Sequence, residues 1–243
     1  MSDPRAAAAP SAAPRIVSGQ QQRAVRSFVR REGRLTSAQS RALEKILPRY
    51  AFPRSEAAVD LAAVFGRRAP ITLEVGFGNG DALADLARKN PERNYIGVDV
   101  HRPGIGHLLL RLEREGIENV RIAARDAALV LRNEIPDDSL DEILVYFPDP
   151  WPKKRHHKRR LIQEEFALLV SAKLAVGGRL ELATDWAGYA EQMRIILNGT
   201  PGLENLADDR GFVKRPPRPQ TRFEQRGEGE GHEIFDLAYR RAA

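Results

Sequence analysis

Asp149 is set between Pro148 and Pro150, directly after the apolar run Leu144-Val145-Tyr146-Phe147 and directly before Trp151-Pro152-Lys153-Lys154. Proline fixes φ and drives the residue before it out of helical space. The acid is therefore expected on a stiff, extended loop where the apolar run stops. Such a mounting suits a carboxylate presented to a ligand, although a proline-rich turn with a solvated acid reads the same on stiffness alone. Lys153, Lys154, Arg155, His156, His157, Lys158, Arg159 and Arg160 follow with no acid before Glu164. Their like charges repel unless an anion neutralises them. A solvated helix start is the plainer alternative, but adjacency to Asp149 favours phosphate binding. His156 and His157 have no Cys or carboxylate at metal-ligand spacing, so no metal is expected.

A second constellation is Glu74 with Gly76-Phe77-Gly78-Asn79-Gly80. A nicotinamide-binding turn carries G-x-G-x-x-G and receives a pyrophosphate at a helix N-terminus. Here the third glycine of that pattern would fall on Asp81, whose charge opposes a pyrophosphate. The loop suits a ligand with no phosphate and some positive charge. Asp99, at the end of the next strand, is placed to accept from both hydroxyls of a ribose, and Asp126 from an adenine amino group. S-adenosylmethionine has the ribose, an ammonium and a sulfonium, and no phosphate. A tight turn without ligand is the alternative for the loop taken alone.

A third constellation is Arg215-Pro216-Pro217-Arg218-Pro219-Gln220-Thr221-Arg222-Phe223-Glu224, which offers donors, an aromatic face and an acceptor to a base. An edge strand behind a proline-rich linker would look similar. Asp185 closes another strand. Glu74, Asp99, Asp126, Asp149 and Asp185 thus all fall at carboxyl ends of strands, where open α/β sheets bind ligands.

The positioning elements follow from periodicity. Strands are expected over 71–75, 94–98, 120–124, 143–147 and 179–183, the last after a Gly177-Gly178 turn. Helices are expected over 36–47, from a cap at Asp81 onward, over 102–115 and over 164–174. Repeated strand-then-helix units imply a parallel sheet covered on both faces. Residues 223–226 and 234–239 read as an antiparallel finish.

Composition limits the class. The 243 residues can bury one sizeable core. Lys and Arg number 39 against 33 acids, for a formal charge of +6, which favours an anionic partner. There is no cysteine, so disulfides are excluded and a reducing cytoplasm is the simple reading. No apolar stretch reaches the ~18–20 residues of a membrane span. Residues 1–22, rich in Ala, Pro and Arg, read as a disordered tail, and 23–243 as one domain with an N-terminal helical extension.

Five segments together resemble the bacterial tRNA (guanine-N7-)-methyltransferases. They are Leu73-Glu74-Val75-Gly76-Phe77-Gly78-Asn79-Gly80, Gly97-Val98-Asp99-Val100-His101, Phe147-Pro148-Asp149-Pro150-Trp151-Pro152-Lys153-Lys154, Ala183-Thr184-Asp185 and Thr221-Arg222-Phe223-Glu224. Arg26-Ser27-Phe28-Val29-Arg30 and Arg34-Leu35-Thr36 extend the likeness upstream. The resemblance implies an α/β, doubly wound, mostly parallel seven-stranded Rossmann-like methyltransferase sheet with an antiparallel C-terminal strand. It implies S-adenosyl-L-methionine as cofactor, held by Glu74, Gly76, Gly78, Gly80, Asp99, Asp126 and Asp149, with Asp149 catalytic. It assigns Lys153, Asp185, Thr221, Arg222, Phe223 and Glu224 to the substrate, and Arg155, His156, His157, Lys158, Arg159 and Arg160 to RNA. The implied partner is tRNA, methylated at a variable-loop guanosine, with no metal and no membrane; monomer and homodimer both stay open. Two other readings remain: a same-fold methyltransferase for another RNA base or a small molecule, and a non-catalytic RNA-binding protein.

Overall fold

The computed structural model describes residues 33–209 and 211–243. The expected tail and the Arg26 to Arg30 segment lie outside the described residues. The chain opens with α1 (Ser37–Lys45), α2 (Leu47–Tyr50) and α3 (Leu61–Phe65). Then come β1 (Ile71–Val75), α4 (Asp81–Lys89), β2 (Asn94–Val98), α5 (Arg102–Glu115), β3 (Val120–Ala123) and α6 (Ala127–Asn133). β4 (Leu140–Tyr146) leads through a 3-10 turn over Lys154–Arg159 to α7 (Glu164–Lys173) and β5 (Leu174–Thr184). α8 (Ala187–Asn198), β6 (Leu203–Asn205), α9 (Arg222–Gly229) and β7 (Phe235–Arg241) complete it.

The seven strands form one sheet in the order β3-β2-β1-β4-β5-β7-β6. β1 through β5 are parallel, and β7 runs antiparallel to both β5 and β6. This is the doubly wound sheet with a reversed C-terminal strand that the sequence implied. The chain builds outward from β1 to β3, then returns to place β4 against the other side of β1. That reversal opens a crevice at the carboxyl ends of β1 and β4, the ligand position of open α/β sheets. Glu74 lies on β1 and Asp149 follows β4, so the two acids flank the switch point.

Both faces are covered, which is why the central strands read as unbroken apolar runs. On β2, Ile96 and Val98 enter one buried cluster with Leu73, Ile143, Val145 and Phe166. Tyr95, one residue out of phase, enters the other with Leu83, Leu108, Leu112 and Ile122. At about 1.5–3 kcal/mol per buried large side chain, these clusters anchor the strands whose ends carry the acids. α1 begins at a capping box: Gln39 N–H donates to Thr36 Oγ1 at 3.2 Å and Thr36 N–H to Gln39 Oε1 at 2.9 Å.

Several expectations need correction. Asp81 is not the cap of α4; Gly80 is, and Asp81 is the first helical residue, where its charge suits the helix dipole. β5 runs through the glycines from Leu174, with a register shift in its pairing to β4. Residues 223–226 are helical and belong to α9. The reason is Thr221: its Oγ1 accepts from Glu224 N–H at 3.1 Å, and the Glu224 carboxylate accepts from Thr221 N–H at 3.3 Å, the mutual cap that starts a helix. α2, which runs through Pro48, and α3, α6, α8 and β6 were not anticipated.

Candidate active site

The glycine loop leaves β1 with φ of +73° at Gly76, +60° at Gly78 and +76° at Gly80, a region costly to side chains. A Cβ at Gly80 would also lie 2.8 Å from Leu108. Gly78 N–H donates to Asp99 Oδ2 at 2.8 Å, while Asp99 Oδ1 accepts from Val100 and His101 N–H at 2.6 and 2.8 Å. Asp99 therefore pins the loop to the end of β2. Oδ1 already accepts twice, so Oδ2 keeps the acceptor capacity for a hydroxyl. Burial nonetheless raises its pKa, outweighing those hydrogen bonds. Asp126 is the N-cap of α6, accepting from Leu129 N–H at 3.2 Å.

Glu74 is 3% exposed, and its Oε2 has no hydrogen-bond partner. Burial, then the Asp99 charge, pushes its pKa up to about 8. A buried carboxylate short of a donor is costly, and a cationic ligand group would relieve it. Together with Asp99, this unpartnered acid fits S-adenosylmethionine. Among the described residues, no group of His, Cys, Asp or Glu could hold a metal ion, and no helix is long and apolar enough to cross a membrane.

Asp149 is exposed on the loop after β4. Phe147 and Trp151, two residues to either side, have φ of +50° and +45°. Phe147 N–H still donates to Ala183 O at 2.8 Å, extending the β4–β5 ladder by one residue. On the far side Arg160 Nε donates to Pro150 O at 2.8 Å, and the Arg159 guanidinium lies 5.0 Å from the centroid of the Trp151 ring. Two left-handed residues therefore shape the Asp149 loop together with the prolines.

The basic run divides. Lys153, Lys154, Arg155, Lys158 and Arg159 are exposed. Arg160 is 3% exposed and turned inward: it donates to Pro150 O, Gly188 O and Gln192 Oε1 and lies over the Tyr189 ring at 4.7 Å. As folded it braces the Asp149 loop, which corrects its assignment to RNA contact. Desolvation, then the neighbouring Arg155, Arg159 and Lys153 cations, lower the His156 pKa.

The C-terminal segment divides as well. Phe223 is 61% exposed and stands over the glycine loop; a Cβ at Gly78 would lie 3.9 Å from its ring. Arg222 Nε is 3.4 Å from Asp81 Oδ2. Asp185 meets His232 Nδ1 at 3.2 Å. Glu224 is fully buried, receiving Arg215 Nε and Arg218 Nη1, each at 2.6 Å. Its carboxylate is consumed internally, which corrects its assignment to substrate contact. Thr221-x-x-Glu224 has capping-box spacing, the signal that would have revealed this. Arg218 was read only as part of a proline-rich approach, yet it is central here.

A groove of about 1790 Å³ adjoins the Asp126 end of the site and the basic run, with Val100, Asp126, Leu129, Lys158 and Arg159 in its lining. Glu74 and Asp149 are not among its lining residues.

A family model described as "Putative methyltransferase" matches residues 68–237. The chain is 55% identical over 221 residues to the tRNA (guanine-N(7)-)-methyltransferase of Alkalilimnicola ehrlichii, covering 90% of this chain and 93% of that one. It is 49% identical over 231 residues to the protein of the same name from Idiomarina loihiensis, covering 95% and 94%. Among solved structures, a 16S rRNA methyltransferase superimposes with a TM-score of 0.57 at 14% identity, over 79% of this chain and 98% of that one, a likeness of fold. With a glycine loop, strand-end acids and a braced Asp149 at the switch point, and relatives matched nearly end to end, the chain belongs to the tRNA (guanine-N(7)-)-methyltransferase family.

Proposed function

We propose that the protein transfers a methyl group from S-adenosylmethionine to N7 of a guanine in the variable loop of tRNA, with Asp149 as the catalytic residue. The observation that supports this reading is that Asp149 follows β4, the parallel neighbour of β1 and its glycine loop, with five exposed cations next in the chain. When bound, S-adenosylmethionine supplies a methyl group activated by a sulfonium. Glu74 and Asp99 would hold it, with Asp126 and the glycine loop.

Guanine N7 carries an in-plane lone pair and no proton, so this chemistry requires no general base. The product ring is cationic. Asp149 therefore acts electrostatically: it accepts a hydrogen bond from the guanine N1–H or exocyclic amine, orients the ring, and stabilises the charge that develops on it. Fixing the base is where most of the acceleration arises, because effective molarity is worth about 7–11 kcal/mol. Asp185 and the Thr221 to Phe223 segment border the base, and Lys153, Lys154, Arg155, Lys158 and Arg159 take backbone phosphates, largely without reading sequence.

Incubation of unmodified tRNA with labelled S-adenosylmethionine, followed by nucleoside analysis, tests the reading. Label in 7-methylguanosine is expected. Label in another nucleoside would replace the guanine N7 assignment with a different RNA base, and absence of label would remove tRNA as the substrate.

A further inference from the structure

Arg218 ties together three separate segments of the chain. Its side chain is 2% exposed. Nη1 donates to Glu224 Oε2 at 2.6 Å; Nη2 and Nε donate to Asp236 Oδ1 at 2.9 and 3.2 Å. Its guanidinium carbon lies 4.9 Å from the centroid of the Tyr146 ring and 5.9 Å from that of Phe147. Tyr146 ends β4, and Phe147 is the left-handed residue that launches Pro148-Asp149. Glu224 closes the cap of α9, whose first turn presents Arg222 and Phe223 beside the glycine loop. Asp236 belongs to β7, fixed between β5 and β6.

Burial alone would lower the Arg218 pKa, but the Glu224 and Asp236 carboxylates more than offset it and the group stays cationic. Only a planar fork can serve two carboxylates in different directions and lay its face on aromatic rings at once; a lysine ammonium cannot. A buried pair that only filled space would not need to end on the two segments flanking the site.

We propose that Arg218 is a positioning residue: it locks the launch of the Asp149 loop to the first turn of α9, so that the carboxylate and the Thr221 to Phe223 segment hold the guanine in one fixed register. The proposal rests on the reading of Asp149 as the catalytic residue.

Arg218→Lys and Arg218→Met test it, compared with wild type by thermal melting, cofactor calorimetry, methyl transfer to tRNA, and hydrogen exchange over residues 144–156 and 221–229. Folded variants are expected to keep cofactor affinity and the KM for tRNA while kcat falls about a hundredfold, the cost of a misplacement near 1 Å. Exchange is expected to rise in both segments together, and lysine is expected not to rescue. A folded variant with wild-type kcat, or loosening of one segment alone, would overturn the proposal. If Arg218→Met does not fold, Arg218→Lys and Glu224→Gln, which keep most of the buried volume, carry the same comparison. Failure of wild type to methylate tRNA would instead remove the functional reading, and the exchange data would still decide whether Arg218 locks the two segments.

Discussion

Phe147 and Trp151 bracket Asp149 symmetrically, each two residues away and each with φ in the left-handed region. Bulky residues hold that conformation at about 1–3 kcal/mol apiece. The surrounding structure offsets this cost through the Phe147–Ala183 hydrogen bond on one side and the Arg159 and His156 contacts to Trp151 on the other. The acid between them is positioned by its neighbours. Its role can therefore be removed with little damage to the fold.

Asp149→Ala is expected to lower single-turnover methyl transfer by about a hundredfold or more, the scale of losing one preorganised electrostatic group. Its melting temperature and tRNA affinity should stay near wild type, because the residue is exposed. Parallel loss of RNA binding and turnover would show Asp149 to be a docking residue.

Glu74 gives the protein a pH dependence of definite sign. Folded Glu74 titrates near 8 against an ordinary 4.5, so between those values the folded state binds more protons than the unfolded one. Its contribution to stability is full below about 4.5 and is lost as pH rises towards 8. Glu74→Gln should flatten that part of the stability profile. A cationic cofactor requires the ionised acid, so binding at pH 7 should release a proton, read as a binding enthalpy that varies with buffer ionisation enthalpy. Equal enthalpies in phosphate and Tris would contradict the pairing.

The basic run should act through its exposed members. With about four to six phosphate contacts, log affinity for tRNA should fall against log salt with a slope of roughly −3 to −5. Lys154→Gln with Lys158→Gln should flatten that slope and leave the melting temperature unchanged. Arg160→Gln should do the reverse, costing about 1.5–3 kcal/mol of stability through lost charged hydrogen bonds with the slope intact. A steep slope surviving the double substitution would mean that the run is merely solvated.

Gly104 should prove intolerant to any side chain. A Cβ there would lie 1.9 Å from Gly78 O, so Gly104→Ala must displace the glycine loop that Asp99 pins. Calorimetry is expected to record a loss of cofactor binding by at least tenfold, a penalty of about 1.4 kcal/mol. Wild-type affinity would show that the loop yields at no cost.

The legible parts of the site were those set by local chemistry. Glycines at 76, 78 and 80, acids closing strands, and Pro148-Asp149-Pro150 all constrain a few adjacent residues, and each landed on the carboxyl rim. Glu224 and Arg160 were misread because composition cannot tell an exposed charge from a buried one; their partners Arg218 and Gln192 come from other segments. Residues 223–226 carry no strand alternation, and the Thr221–Glu224 spacing is the local signal that marks them as helical. The raised pKa of Glu74 depends on burial between β2 and β4 and on a charge from β2. β6, three residues long, takes its form from pairing with β7 and carries almost no signal of its own.

The most direct measurement is methyl transfer to two tRNA transcripts that differ only in their variable-loop guanosine, kept in one and changed to adenosine in the other. Incorporation into the first alone is the predicted result. Equal incorporation into both would contradict the assigned target.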